Sequence, residues 1–398
     1  MRRLLCLGVM VSTGLWGACG SDSSCTGSGG SGGHAGVGGQ AGGGGLAGQA
    51  AGGAGGQALA PCLDPSAFAS SFTIADPAFC AVALYTAPES LGSQAPTWGS
   101  HGGPLVVQTA TGTDVTLERW TAPAGNTGAL TVQTTPIASA VPAGAYLGVQ
   151  ALDLPFFGWT AISWINPFPM TTGKFEMIAN GTIATSYDVN GPFSVIAVPA
   201  DASLGRLIYT GLSPLGTATT NMNGLYAADA CSSPSPALGA GTGCAAPSLI
   251  AAWDEYSGPV AADSDGDVFA VMTSYTNGNQ EARGFLASAV ARGSGATAGT
   301  TLFTLPGYAA SLAALSPSGT APGLVVFQPV DSTSNHALDV IEQKFTTSNS
   351  ALAVMGTPTT FLTVASTHGL SFLVDGAQRL WVAASDTSST TYVVLARK

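Results

Sequence analysis

The chain has 398 residues, with 22 Asp and Glu against 11 Lys and Arg, for a net charge of −11. Nucleic-acid binding needs a concentration of basic side chains to neutralise phosphates, and this composition lacks one. An anionic membrane surface would repel the chain for the same reason. Beyond the first 19 residues, no apolar stretch approaches the ~18 residues of a membrane-spanning helix. Functions on nucleic acid, or on lipid through surface charge, are therefore not expected.

The N-terminal residues have the layout of an export signal. Two arginines precede an apolar stretch over residues 4–15, too short to span a bilayer, and small residues then lead into Cys19. This arrangement resembles the lipobox of bacterial lipoproteins, although Trp16 stands where that family usually has Leu. The resemblance implies a signal peptide over residues 1–18 and lipidation of Cys19. The alternative is an ordinary cleavable signal and a soluble secreted protein.

Glycine dominates the next segment, with 17 of the 30 residues from 27 to 56. The segment has no aromatic residue and almost no charge, so it cannot bury enough apolar surface to offset the entropy cost of ordering it. We predict that residues 19–60 form a flexible tether. Aromatic and β-branched residues become frequent from residue 61, and we predict one domain from there to residue 398.

Short apolar runs separated by turn dipeptides predict that this domain is all-β. Asn-Gly and Asp-Gly pairs suit the positive φ angles of tight hairpins, and they begin at residues 180, 190, 223, 265, 277 and 375. Runs that follow such turns recur roughly every 40 to 55 residues, as in four-stranded β-propeller blades. They start at Gly102, Ala143, Asn180, Asn223, Asp265, Thr320 and Asp375.

The runs SDGDVFAVMTSY and VDGAQRLWVAASD resemble the strand signature of propeller proteins. We therefore predict a β-propeller, with seven blades favoured by the seven runs and six as the alternative. A β-sandwich pair or a β-helix is the competing fold. The segment from Cys62 to Phe79 is predicted to close the ring beside Val393 and Val394, since closure leaves only short, protected sheet edges.

An exported chain enters an oxidising compartment, in which cysteines pair. We predict two local bridges, Cys62–Cys80 and Cys231–Cys244, the second of which constrains a loop rich in Ser, Pro and Gly. Cys25 is left over in the tether, either free or linked to another chain. Zinc is not expected, because the sequence has no CxxC pair or His cluster.

Asp263, Asp265 and Asp267 place three carboxylates within five residues, a cluster of the kind that Ca²⁺ prefers. The spacing departs from a calcium loop, because Gly lies fourth instead of sixth and no Glu follows at the right distance. A hairpin turn is the favoured interpretation, because Asp and Gly suit its backbone geometry. The prediction is therefore no cofactor, with Ca²⁺ as the alternative.

Two aromatic segments are candidate ligand sites. Asp254 and Glu255 stand between aromatic residues, and glycoside hydrolases use paired carboxylates for catalysis, with aromatic rings to stack on the sugar. Neighbouring residues on a strand point to opposite faces, however, so these two carboxylates do not form one catalytic pair. Exposed aromatic rings would stack on a ligand, whereas buried ones would form sheet core. The candidate aromatic residues are Trp253, Tyr256, Trp159 and Trp164.

The order of export signal, Cys19, GSGGSGG-type tether and Thr/Ser/Ala-rich propeller resembles secreted lipoproteins of myxobacteria and their relatives. The resemblance implies an outer-membrane lipoprotein that faces the periplasm or the cell surface. With no catalytic motif in the sequence, the favoured function is a monomeric binding or scaffolding propeller that contacts an envelope protein or a glycan. The alternative is a glycan-acting or other secreted hydrolase.

Overall fold

The fold is taken from a computed structural model of the chain. Contacts divide the chain into two compact units, residues 1–51 and 52–398, and every described residue lies in the second unit. The described residues are 61–87, 97–98, 105–111, 114–137, 152–154, 159–165, 173–179, 182–189, 194–199, 205–211, 223–231, 237–238, 246–252, 257–273, 279–291, 295–306, 309–329, 337–348, 351–365, 369–385 and 390–398.

Strands dominate the described residues. A 3₁₀ helix spans Pro65–Ala67 and a short α-helix, α1, spans Ala287–Val290. No helix in the described ranges has the length and apolar character needed to cross a membrane. The first strands in chain order are β1 (Phe72–Ile74), β2 (Phe79–Ala87), β3 (Thr97–Trp98), β4 (Leu105–Thr111), β5 (Asp114–Thr121), β6 (Thr127–Ala129), β7 (Thr131–Ile137), β8 (Leu152–Leu154), β9 (Trp159–Ile165), β10 (Gly173–Ala179), β11 (Thr182–Val189), β12 (Ser194–Pro199), β13 (Gly205–Gly211) and β14 (Gly224–Cys231).

The remaining strands follow in the same short lengths. They are β15 (Ala237–Leu238), β16 (Ser248–Ala252), β17 (Ser257–Ala262), β18 (Val268–Thr273), β19 (Asn279–Phe285), β20 (Thr300–Pro306), β21 (Ala309–Leu315), β22 (Gly323–Pro329), β23 (Leu338–Ser348), β24 (Ala351–Val364), β25 (Gly369–Val374), β26 (Leu380–Ser385) and β27 (Thr390–Arg397).

These strands form six sheets of four or five strands. Sheet 1 has the order β3-β4-β5-β7, and sheet 2 has the order β8-β9-β10-β11. Sheet 3 runs β12-β13-β14, with β15 and β16 both paired to β14. Sheet 4 is β17-β18-β19-β20, sheet 5 is β21-β22-β23-β24-β1, and sheet 6 is β25-β26-β27-β2-β6. Within sheets 1 to 5 the pairing follows chain order, as in a meander, apart from β6 and β1.

The six sheets are arranged as the blades of a β-propeller. The first strand of each sheet contacts the first strand of the next, and β25 of sheet 6 contacts β3 of sheet 1. The predicted all-β propeller fold is therefore confirmed. The described residues form six sheets, which equals the alternative blade number and not the favoured seven, and the blade number of the whole chain stays a prediction.

Where burial is described, in sheets 3 to 6, the second strands are buried on both faces. In β18, Val268 and Ala270 belong to the core shared with sheet 3, whereas Phe269 and Val271 belong to the core shared with sheet 5. A strand buried on both faces has a continuous apolar sequence instead of an alternating one. Four of the seven runs found in the sequence are such second strands, namely β4, β18, β22 and β26.

The other three runs are not the second strands of described sheets. The run from Asn180 is β11, the fourth strand of sheet 2, and the run from Asn223 is β14, the third strand of sheet 3. The run from Ala143 lies outside the described residues. A Gly-containing turn can therefore precede the second, third or fourth strand of a sheet. The spacing between such turns does not by itself give the number of blades.

The N-terminal segment closes the ring. Strand β2 pairs with the C-terminal strand β27, with Ala83 opposite Val394 and Leu84 opposite Val393. The predicted pairing partners are confirmed, but the closing strand begins at Phe79, where the predicted segment ended. The segment before it contributes β1, which pairs with β24 of sheet 5. Strand β6, which lies between β5 and β7 in sequence, then pairs in parallel with the other edge of β2 and so belongs to sheet 6.

One disulfide fixes this closing segment. Cys62 and Cys80 are bonded, with their Cα atoms 5.7 Å apart, and the amide of Leu63 donates to the carbonyl oxygen of Ala81 beside the bridge. This predicted bridge is confirmed. Cys231 ends β14, but Cys244 lies outside the described residues, so the second predicted bridge stays a prediction, as does the fate of Cys25.

Ring closure depends on the side chain of Phe79. Its ring packs edge-on against Phe361 of sheet 5 at 5.1 Å, and the Arg397 guanidinium lies 5.8 Å from its centroid. We expect Phe79→Ala to reduce the free energy of unfolding by about 3–5 kcal/mol, as for other buried aromatic truncations. Thr86→Ala, an exposed position on the same strand, is the matched control and should change it by less than about 0.5 kcal/mol. Equal urea midpoints for the two variants would rule out this role for β2.

The disulfide should stabilise the same closure. The bridge spans 18 residues of sequence, and loops of this size correspond to about 3 kcal/mol of unfolding free energy through the entropy of the unfolded chain. We expect the Cys62→Ser, Cys80→Ser double variant to lower the melting temperature, and dithiothreitol to have the same effect on the wild-type chain. Reductant should leave the melting temperature of the double variant unchanged.

Candidate functional site

Three turns meet at one end of the ring. Each joins the first strand of its sheet to the second: residues 263–267 in sheet 4, residues 316–322 in sheet 5 and residues 375–379 in sheet 6. We call these three turns the turn belt. Because neighbouring first strands enter the ring in the same direction, their following turns lie side by side. Polar groups of the turn belt therefore lie within hydrogen-bonding reach across the boundaries between sheets.

Ser316 is the centre of the turn belt. Its Oγ lies 2.7 Å from Oγ of Ser264 and accepts from the amide of Asp265 at 3.2 Å, both in sheet 4. Its amide donates to Oε1 of Gln378 in sheet 6 at 3.1 Å. Its carbonyl oxygen accepts from Nη1 of Arg397 at 2.8 Å. One buried residue thus connects sheets 4, 5 and 6 through its hydroxyl, amide and carbonyl groups.

The contact from Gln378 requires an unusual backbone conformation. Gln378 has a φ of 57°, in the left-handed region, whereas the same place in the sheet 4 turn holds Gly266, with a φ of 86°. A non-glycine residue costs roughly 1 kcal/mol in this region. The side-chain contact with Ser316 gives a physical reason for Gln at a position whose backbone favours Gly.

The sheet 4 turn contains the three carboxylates considered as calcium ligands. Oδ1 of Asp263 accepts from the amides of Asp265 and Asp267 at 3.0 Å each, and Oδ1 of Asp267 accepts from the amide of Ala287 at 2.7 Å. These contacts are those of a turn, the interpretation favoured from the sequence. Across the described ranges, no group of three or more His, Cys, Asp or Glu side chains is placed to hold a metal ion. Calcium at this turn, the alternative from the sequence, stays a prediction.

A cavity of about 480 Å³ lies beside the closing segment. Its walls are mainly apolar, because the segment from Cys62 to Ala81 wraps around it and contributes aromatic and aliphatic side chains. The lining residues are Cys62, Leu63, Pro65, Phe68, Ala69, Phe72, Thr73, Ile74, Asp76, Pro77, Phe79, Cys80, Ala81 and Lys398. Phe79 lines the cavity and also lies under Arg397, which donates to Ser316. The cavity and the turn belt therefore share a wall.

A buried ion cluster supports the charged wall of this cavity. Nζ of Lys344 lies 3.0 Å from Oδ2 of Asp76 and 3.0 Å from Oε1 of Glu342, and both carboxyl groups are buried. Burial opposes ionisation of Asp76, but the amide of Ala78 and the Lys344 ammonium outweigh it and hold the pKa of Asp76 below its usual value. Burial instead raises the pKa of Glu342. Asp76 is therefore the ionised partner of Lys344 at the cavity wall.

The aromatic candidates from the sequence stay predictions. Trp159 and Trp164 lie on β9 of sheet 2. The residues proposed for a hydrolase, Trp253, Asp254, Glu255 and Tyr256, lie outside the described residues, as does Cys19. Sequence reasoning missed Ser316 and Gln378, because their turns differ in sequence although they occupy the same place in each sheet, and it missed Arg397 at the end of β27. The one available signal in the sequence was that an aspartate, Asp263 or Asp375, begins the turns of sheets 4 and 6.

Comparisons with known proteins find only matches of low similarity among the solved structures that follow. No known protein family matches the chain, and no curated protein matches it. Among solved structures, an arginine-to-alanine mutant of AofleA from Arthrobotrys oligospora is 12% identical, with 81% of this chain and 85% of that chain covered and a TM-score of 0.43. The PQQ-bound aldose sugar dehydrogenase of Streptomyces coelicolor is 12% identical (82% and 98% covered, TM-score 0.43). Drosophila Semaphorin 1b, domains 1 and 2, is 11% identical (75% and 72% covered, TM-score 0.40). These likenesses concern the fold alone.

Variants of Gln378 test whether its hydrogen bond to Ser316 compensates for the strain of its left-handed backbone. We expect Gln378→Ala to lower the free energy of unfolding by about 1–2 kcal/mol, because the buried amide of Ser316 loses its partner and the strain remains. Gln378→Gly loses the same contact but removes the strain, so it should be more stable than the Ala variant by about 1 kcal/mol. Chemical denaturation of both variants measures the difference. An Ala variant as stable as the Gly variant would contradict the role of strain.

Proposed function

We propose that this chain is a non-enzymatic binding propeller of the bacterial cell envelope, and that the cavity beside the closing segment binds an apolar ligand. The single observation that carries the proposal is a cavity of about 480 Å³ with aromatic and aliphatic walls. Sites for small molecules are typically concave, mostly apolar and roughly 300–1,000 Å³ in volume, with a few polar groups that orient the ligand.

The walls of this cavity are held in place before any ligand arrives. The disulfide between Cys62 and Cys80 fixes one side. Strands β1 and β2 form the other side, and each is paired to a different sheet of the ring. A preformed site loses little conformational entropy on binding, which favours affinity.

The ligand expected from these walls is an alkyl chain or a small aromatic molecule with one polar end. Phe68, Phe72 and Phe79 supply apolar contact area, whereas the ionised Asp76 and the C-terminal Lys398 are the charged groups at the lining. Burying a methylene group contributes roughly 0.8 kcal/mol. Ten buried methylene groups therefore contribute roughly 8 kcal/mol before the costs of association, so a chain of about ten carbons is expected to bind more weakly than about micromolar.

We also propose the setting in which this binding occurs. Lipid on Cys19 would anchor the chain to the outer membrane, and the Gly-rich residues 19–60 would act as a tether. The chain would act as a monomer, with an envelope protein or a glycan as a further partner, and the proposal assigns it no metal or cofactor. Metabolic labelling with an alkyne fatty acid tests the anchor: label on the wild-type chain and none on Cys19→Ala is the expected result.

Binding in the cavity is tested by filling it. We expect n-decanol to bind the soluble chain without Cys19, residues 20–398, saturably and with a negative heat-capacity change in calorimetry. Ala69 is an exposed residue of the lining, and Ala69→Trp should abolish binding by occupying the cavity. The matched control is Ser70→Trp, an exposed neighbour outside the lining, which should bind as the wild type does. Equal affinities for the two tryptophan variants would refute the site.

A further inference from the structure

Two residues in the lining of the cavity carry a charge, Asp76 and Lys398. The phenylalanines and most of the other lining residues are apolar. A ligand that places an alkyl chain among the phenylalanine rings must leave its polar head near one of the two charges, because a buried polar head without a partner is costly. The charge that is open to the ligand therefore decides which class of head group the cavity accepts.

The negative charge of Asp76 is already compensated. Oδ1 of Asp76 accepts from the amide of Ala78 at 2.8 Å, and Oδ2 lies 3.0 Å from Nζ of Lys344 in an ion pair. The Asp76 side chain is only 4% exposed, so a ligand reaches little of it. A cationic head would have to displace Lys344, and breaking a buried ion pair leaves a charge without compensation. Asp76 is therefore a poor site for a cationic head.

The positive charge of Lys398, in contrast, is open to a ligand. The amide of Lys398 donates to the carbonyl oxygen of Ala78 at 2.9 Å, which holds its backbone beside the start of β2. Its side chain is exposed, and within the described part of the chain no carboxylate pairs with it. Asp64, which lies next to two lining residues in sequence, accepts the amide of Ser66 at 2.9 Å through Oδ1. An anionic head can therefore pair with Lys398 in contact with water, without the desolvation cost of a buried ion pair.

Basic side chains are concentrated around this cavity in an otherwise acidic chain. The chain has 22 acidic and 11 basic residues. Lys398 lines the cavity, Lys344 pairs with Asp76 of the lining, and Arg397 lies over a phenylalanine of the lining. The Nη groups of Arg397 donate to backbone carbonyl oxygens, which carry no net charge. The second carboxyl group that contacts Lys344 belongs to Glu342, and burial raises its pKa and so opposes its negative charge. The local charge therefore favours an anionic ligand.

We propose that the cavity binds a fatty acid, with the alkyl chain among the phenylalanine rings and the carboxylate paired with Nζ of Lys398 on the exposed side of the lining. The inference rests on the proposed function, because the cavity must first accept an alkyl chain. It extends that function by assigning the head group and by making Lys398 the residue that determines specificity for it.

The test compares three ligands that share a ten-carbon chain and differ in the charge of the head. Decanoate, n-decanol and decylammonium are titrated by calorimetry, near neutral pH and at low salt, into residues 20–398. We expect decanoate to bind roughly tenfold more tightly than decylammonium, since an exposed lysine attracts one head and repels the other by similar energies. Added salt should weaken the binding of decanoate more than that of n-decanol, because exposed charges are screened.

The outcomes separate the head-group assignment from the proposed function. Binding of n-decanol together with decylammonium that binds as tightly as decanoate, or more tightly, would overturn the fatty-acid assignment and leave the apolar cavity in place. Absence of binding by all three ligands would reject the proposed function itself.

Variants of Lys398 test its role in specificity. We expect Lys398→Gln to weaken the binding of decanoate about threefold and to leave n-decanol unchanged, and Lys398→Glu to make decylammonium bind more tightly than decanoate. Lys174→Gln is the matched control: it removes the same charge from β10 of sheet 2, where Nζ lies 2.6 Å from Oδ1 of Asp188, and it should bind all three ligands as the wild type does. A ratio of decanoate to n-decanol affinity that is the same in the wild type and in both Lys398 variants would overturn this role.

Discussion

Pairing between β2 and β27 is the interaction on which the rest of the structure depends. A ring of sheets has no covalent closure, so the last sheet must take a strand from the other end of the chain or leave an open edge. Here Phe79–Ala87 supplies that strand. β1 extends the closure to sheet 5, and β6, which lies between β5 and β7 of sheet 1 in sequence, covers the outer edge of β2. One short segment thereby connects three sheets that are distant in sequence.

The turn belt shows how polar groups supplement this closure. Apolar contacts between sheets are non-directional, so they allow one sheet to slide over the next. A hydrogen bond has a fixed geometry and opposes such sliding. Ser316 makes such bonds to both neighbouring sheets. Two departures from local preference accompany these contacts: the left-handed backbone of Gln378 and the buried Oδ2 of Asp263, which has no hydrogen-bond partner within the described part of the chain. Both occur in turns that lie against Ser316, where packing between sheets outweighs local cost.

Ligand binding and ring closure share the same residues in the function that we propose. Phe79 packs in the core with Phe361 and also lines the cavity, and Cys62 and Cys80 both hold the segment and contribute to the lining. An occupied cavity would therefore stabilise the closed ring, because a ligand that binds only the folded state adds to the free energy of unfolding.

The sequence by itself determined the strand content, the propeller class, the residues opposite the closing strand and one disulfide. These follow from local signals: continuous apolar runs such as β18 and β26, Asp-Gly turns and the spacing of Cys62 and Cys80. Tertiary structure alone decided which strand of each sheet a run becomes, so Asn180 and Asn223 were miscounted as blade starts. It also decided that the Ala-rich β21, whose composition suits a helix, is the first strand of sheet 5. The contacts of Ser316 and Gln378 could not be predicted, because their partners lie 50 or more residues away and meet only when the ring closes.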